Sequence, residues 1–290
     1  MKMAQFSAAR PLERPQATAV GEKSEGFRFG VLGPLHVSVK GSTVATPVAP
    51  KIRTVLAMLL ADTDHVVPVG ALMRELWPEK PPVSGLRTLQ TYILNGRKLL
   101  ARLTGRPAAE IARDVLVTGA GGYSLNSASG ELDSLEYLRL VNLGGKAIRA
   151  GDENSAILLL DRALSLWRGD AFVDVPVGPV IESKRRLLSE SRLGTVETLA
   201  EARIRVGLYQ EVTADLAALT SEHMLHEGLH AQYMRALALS GRRAQALEVF
   251  SALRTRLVTE VGLEPGYPLQ QLQLAILNSH SAAMPSELLT

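Results

Sequence analysis

Cysteine is absent from the 290-residue chain, which excludes disulfides, thiolate metal sites and a cysteine nucleophile. Long apolar runs are absent too. Nothing approaches the roughly 18 consecutive apolar residues of a membrane span, and residues 1–26 lack the apolar stretch of a secretory signal, so a cytoplasmic protein with no membrane partner is expected. Signatures of catalysis are equally scarce. The serines in "GYSLN" and "VSGLR" lack the flanking glycines of a nucleophile elbow. The stretch "LGGKAI", around Lys146, lacks both the upstream glycine and the Ser/Thr of a phosphate-binding loop. His223, His226 and His230 are metal-ligand types, but Gly228 interrupts the helix that would align them. No metal, no cofactor and no enzymatic activity are therefore expected. Of the two tryptophans, Trp77 before Pro78 and Trp167 in "LWRGD" read as core anchors rather than ligand stackers.

The apolar content of 46% is enough to give each of two domains a core. The net charge of +3 is unevenly spread. Residues 27–126 carry twelve Lys/Arg against six Asp/Glu, a balance of +6, whereas residues 127–290 carry 16 against 20, or −4. A basic half joined to an acidic half suits a chain in which one half meets a polyanion and the other meets protein or itself. Residues 1–26 mix Pro, Ala, Glu, Arg and Ser without periodicity, and a disordered leader is expected there. From Phe27 to Val48 apolar residues alternate between Gly-Pro and Gly-Ser punctuation, the pattern of a small antiparallel sheet. Ile52, Val55, Leu56, Leu59 and Leu60 then fall at helical spacing, and a short helix follows between Pro68 and Pro78. A third helix starts behind Ser84 as its cap, and "VLVTGAGGYSLN" closes the section as strand, Gly-rich turn, strand.

Sheet, three helices and hairpin, in that order, make a winged helix-turn-helix, and the third helix, 86–103, is the one that would enter a major groove. Leu86, Leu89, Ile93, Leu100 and Leu103 form its core stripe, with Gly96 at the one position lacking a large side chain. Either Tyr92 or Leu99 leans into that gap, or another backbone approaches closely there. The opposite face carries Arg87, Gln90, Thr91, Leu94, Asn95, Lys98 and Arg102. These types suit a groove: Arg and Lys for phosphates or guanine, Gln and Asn for adenine edges, Thr for a base or a thymine methyl. Beyond Asn126 the texture is helical with almost no strand signal. Segments beginning at Gly151, Gly207 and Gly241 share small or apolar residues at offsets +5, +9 and +12, and the last two are 34 residues apart, the tetratricopeptide period. The first pair is 56 apart, with extra helix expected over 182–207.

Together "FGVLGPLHV", "LQTYILNGRKLL" and "GAGGYSL" in the first section, with "ALSLWRGDAF", Gly-Arg-x-Ala-x-Ala-Leu from Gly241 and Leu-x-x-Glu-x-Gly-Leu-Glu-Pro from Leu257 in the second, carry a resemblance. The chain resembles the Streptomyces antibiotic regulatory protein family from about Phe27 to Asn278. The resemblance implies an α+β OmpR-type winged helix at 27–126, an all-α, tetratricopeptide-like bacterial transcriptional activation domain at 127–278, and a flexible tail at 279–290. It also implies a nucleoid-associated activator of an antibiotic biosynthetic gene cluster. Such a protein would bind direct repeats in double-stranded promoter DNA as a head-to-tail dimer and recruit RNA polymerase holoenzyme through its sigma subunit. Base reading is then expected from Arg87, Gln90, Thr91, Leu94, Asn95 and Lys98. Phosphate contacts are expected from Lys51, Arg53, Arg97, Arg102, Arg113, Gly122 and Tyr123. The loop 77–85, with Trp77, Glu79, Lys80 and Val83, is the expected polymerase contact. Two alternatives stay open: a ligand-responsive regulator, and an adaptor whose winged helix contacts protein. Residues 127–278 are expected to fold alone.

Overall fold

The computed structural model describes residues 27–39, 42–45, 49–176 and 178–278; the expected leader and tail lie outside the described residues. Strands β1 (Phe27–Gly30), β2 (His36–Val39) and β3 (Ser42–Ala45) form an antiparallel meander. Phe27 and Phe29 turn inward and Arg28 outward, as the period of two in a strand requires. Helix α1 (Pro50–Ala61) opens on a proline whose missing N–H would have had no helical partner in any case. Strand β4 (Val67–Pro68), helix α2 (Val69–Leu76) and helix α3 (Gly85–Thr104) follow, and Gly105 ends α3 in the left-handed region at φ 69°. A short helix α4 (Ala108–Glu110) running into a π turn over 111–115 has no counterpart in the sequence reading. It leads to the hairpin of β5 (Leu116–Gly119) and β6 (Gly122–Leu125), which forms a second sheet in the order β4-β6-β5.

Strand β7 (Gly130–Leu132) lies beyond the expected division at 126/127, yet it pairs in parallel with β1 and completes the first sheet as β3-β2-β1-β7. Three residues, Gly-Glu-Leu, are too few for alternation to register. The helical part contains α5 (Asp133–Arg149), α6 (Glu153–Ser165), α7 (Pro179–Arg205), α8 (Tyr209–Glu222), α9 (Glu227–Leu239), α10 (Arg243–Arg256) and α11 (Tyr267–Asn278). Gly151, Gly207 and Gly241 have φ of +74°, +84° and +81°, and each sits in the turn joining one helix to the next. Glycine enters that region at no steric cost. The aligned residues at +5 and +9 are all buried; at +12, Ala163 and Leu253 are buried and Leu219 half-buried. The 56-residue interval holds a loop over 166–178 and the 27-residue α7, which packs against both α6 and α8.

The packing does not break at 126. A single buried cluster runs from Phe27 and Leu32 through Ile93 and Tyr123 to Tyr137, Trp167, Phe172 and Ile181. Polar contacts reinforce it. The Asp133 carboxylate accepts from the backbone N–H groups of Val31 and Leu32, at 2.8 and 3.1 Å, and Asp174 Oδ1 accepts from Leu35 N at 2.7 Å. Glu75 of α2, itself buried, accepts from Gly178 N, Val180 N and Ile181 N at 2.9, 2.8 and 3.1 Å. A carboxylate from one half thus caps the first turn of α7 in the other, where orphan donors and the helix dipole favour an anion. A fragment 127–278 would lose this cap and expose its share of the common core, which argues against its folding alone.

In α3 the buried stripe is Leu89, Ile93, Gly96, Leu99 and Leu100. Leu86, expected in the stripe, is 51% exposed, because Gly85 takes the inward place beside Met73, whose Cε would lie 2.5 Å from a Cβ at 85. Ser84 precedes the helix as expected, but its hydroxyl makes no capping bond. The gap at Gly96 is filled neither by Tyr92, which stacks on Trp77, nor by another backbone. Leu56 of α1 and Leu116 of β5 fill it, with carbons 3.4 and 3.5 Å from where a Cβ would stand. An alanine therefore fits at ordinary contact distance, and Gly96→Ala is expected to raise stability by about 0.5–1 kcal/mol through helix propensity. Gly96→Leu should instead overpack the site and lower it by about 1–3 kcal/mol. Urea denaturation of the two variants measures both, and a destabilised alanine variant would contradict this packing.

Candidate nucleic-acid interface

The burial of one side of α3 against α1, α2, α4 and its π turn, with Leu116 of β5 at Gly96, leaves its other side open. Arg87, Gln90, Thr91, Leu94, Lys98 and Arg102 are exposed along it, and Asn95 is half-buried. Thr91 Oγ1 donates back to Arg87 O at 3.0 Å, so its methyl and its acceptor lone pairs remain available. Among the described residues, no side-chain hydrogen bond or ion pair engages Arg87, Gln90, Asn95, Lys98 or Arg102. This is a row of uncommitted donors and acceptors about four turns long on a rigid helix.

The expected phosphate contacts divide. Arg102 is exposed and, among the described residues, unpaired, and Arg113 is exposed but bound to Asp114 at 2.8 Å, which holds the Asp114 carboxyl below its usual range. The other members are committed inside the protein. Lys51 Nζ donates to Leu76 O and lies 5.9 Å from the Trp77 ring. Arg53 reaches Asp174, at 3.0 Å to the backbone oxygen and 3.3 Å to the carboxylate, and so ties α1 to the helical half. Arg97 donates to Leu116 O at 2.9 Å and to Thr118 Oγ1 at 2.8 Å, fastening the hairpin to α3; burial lowers its pKa from the usual guanidinium value. Gly122 and Tyr123 are buried because β6 is the middle strand of its sheet, and a Cβ at 122 would strike Val67 O. The exposed tip of the hairpin is Ala120–Gly121, one turn position earlier than expected, and a run reading "GAGG" gives no sequence signal to choose between them.

In the loop between α2 and α3, Glu79, Lys80 and Val83 are exposed. Trp77 is not presented with them. It is half-buried and stacks on Tyr92 of α3, with ring centroids 6.4 Å apart and 21° between planes, so it anchors the loop as a core residue does. In the helical half, His226 precedes α9 and lies 3.3 Å from Glu197, while His230 is buried and bonded to His226 O.

Residues 132–277 match the bacterial transcriptional activator domain. Regulatory protein DnrI of Streptomyces peucetius is 44% identical over 253 residues, covering 87% of this chain and 93% of that protein. The chain belongs to the Streptomyces antibiotic regulatory protein family. Regulatory protein AfsR of Streptomyces coelicolor is 38% identical over 270 residues, 93% of this chain but 26% of the much longer AfsR. Among solved structures, Mycobacterium tuberculosis EmbR in complex with a low-affinity phosphopeptide superposes with a TM-score of 0.80 at 31% identity, over 90% of this chain and 68% of that one. The winged helix followed by helical repeats is therefore the family's architecture. Its members are transcriptional regulators. No helix among the described residues is long and apolar enough to cross a membrane.

Proposed function

We propose that this regulator is a sequence-specific, DNA-binding activator of an antibiotic biosynthetic gene cluster, with residues 27–126 as its DNA-binding part and residues 127–278 as its activation part. The observation that carries the reading is the open face of α3. Its five unpaired polar and basic side chains match the base edges and phosphates of a major groove, while the reverse face is locked in the core. Arg87, Gln90, Thr91, Leu94 and Asn95 read bases; Lys98, expected among the readers, carries a point charge that suits phosphate, and with Arg102 it neutralises phosphates beside the backbone N–H groups at Ala120–Gly121. Lys51, Arg53, Arg97 and Tyr123 serve instead to hold the reading helix and hairpin in place. Glu79, Lys80 and Val83, exposed next to α3, form the contact for the polymerase sigma subunit, with Trp77 as their anchor.

Two copies bind head to tail on one face of the DNA, which requires direct repeats about one helical turn, roughly 10–11 base pairs, apart. Inserting five base pairs between the repeats rotates one site by half a turn. The footprint should then shrink from two repeats to one. Equal protection of both repeats after the insertion would overturn the head-to-tail arrangement.

A further inference from the structure

Helices α6 and α8 both pack on α7 but hardly touch one another. A cavity of about 480 Å³ remains between α7, α8 and the end of α6, and no residue of the winged helix lines it. The deep part of its wall is apolar and buried, from Leu193, Leu199, Ala200, Val212 and Leu216, and polar side chains line the rest. Concave, mostly apolar sites of roughly 300–1,000 Å³ with a few polar groups are the usual receptacles of small organic molecules.

The two arginines in the lining are in different states. Arg203 is neutralised: its guanidinium bonds Asp161 at 2.7 Å and Asp215 at 2.5 Å, bridging α6, α7 and α8. Arg192 has no hydrogen bond or ion pair among the described residues. Its guanidinium carbon lies 5.0 Å from the centre of the Trp167 ring. A guanidinium held over an indole face by cation–π attraction keeps its N–H donors free, and a free guanidinium takes an anionic group through two parallel bonds. Nε1 of the same indole is buried with no hydrogen-bond partner among the described residues. Asp170 and Glu222 also line the cavity, but both are exposed, where water and salt screen them.

We propose that this cavity is a binding site for an amphiphilic organic anion, with its apolar body in the Leu193–Leu216 cleft and its carboxylate, sulfonate or phenolate on Arg192. Trp167 meets Tyr137 edge to face, with centroids 5.5 Å apart, and both belong to the core shared with the winged helix. Arg192 is thereby linked, through Trp167 and Tyr137, to that shared core. The site rests on the cavity and Arg192 alone and stands apart from the DNA-binding reading.

The test is a titration of the full chain with 8-anilinonaphthalene-1-sulfonate, an apolar sulfonate that fluoresces on leaving water. Saturable binding at one site per chain is expected, weakened at least tenfold in Arg192→Gln, with circular dichroism and melting unchanged. Should Arg192→Gln fold poorly, displacement from the unaltered protein gives the same answer: decanoate should displace the dye, and decyltrimethylammonium should not. Weak, non-saturating fluorescence, or equal displacement by both head groups, would overturn the proposal.

Discussion

Replacing Glu75 with alanine is expected to destabilise the protein by about 2–4 kcal/mol, although the residue lies in neither the DNA-reading face nor the cavity. Its side chain is 4% exposed and accepts three backbone N–H groups at the start of α7. That helix has no side-chain cap of its own, since Gly178 occupies the position. Truncation leaves buried donors without an acceptor, and each such donor costs about 1–3 kcal/mol, reduced where water reaches it. For a chain of this size the loss corresponds to a fall in melting temperature of about 5–15 °C. Glu75→Gln keeps one acceptor oxygen and should lose less. Gly178→Ala attacks the same contact from the other side, because an added Cβ would stand 2.6–2.8 Å from the Glu75 carboxylate. The two substitutions share a single contact, so their double variant should be clearly less damaging than the sum. Additive losses in calorimetry would mean that the cap is not what joins the two halves.

The second large effect concerns the reading face. Asn95→Ala should cost about 1–3 kcal/mol on the cognate site and almost nothing on unrelated DNA, because an amide pairs with a particular base edge. Lys98→Ala should weaken binding to every sequence and reduce the salt dependence by about one unit of slope, because a lysine meets phosphate. Among the described residues neither side chain has an internal partner, so neither change should alter the melting temperature. Equal losses on random and cognate DNA for both variants would remove α3 from the role of reading helix.

The elements of this fold were legible where periodicity spans several residues: the meander, the three helices, the hairpin and the glycine-marked repeats. What escaped depends on contacts remote in sequence. Arg53 near the start of a helix in a basic section has the look of a phosphate ligand; its partner, Asp174, comes 121 residues later. Glu75 has the look of a solvated acid on a short helix, yet it caps a helix that begins more than a hundred residues on. Tyr123 suits a DNA-contacting hairpin until β4 pairs with β6 and places it in mid-sheet, and β4 is only two residues long. Of the candidate site, the face of α3 could be read directly, since helical spacing alone sets which residues share it. The supporting arginines and lysine could not, because a cation's choice between phosphate and an internal carbonyl is settled by packing.

The measurement that bears most directly on the central claim is a titration of the unaltered protein against its operator region at about 50 and 200 mM salt with excess unrelated DNA, the range over which phosphate contacts express themselves. The expected result is a footprint over direct repeats that survives the competitor at both salts, with affinity falling as salt rises. Affinity equal to that for the competitor, or no dependence on salt, would contradict a double-stranded DNA groove as the partner of α3.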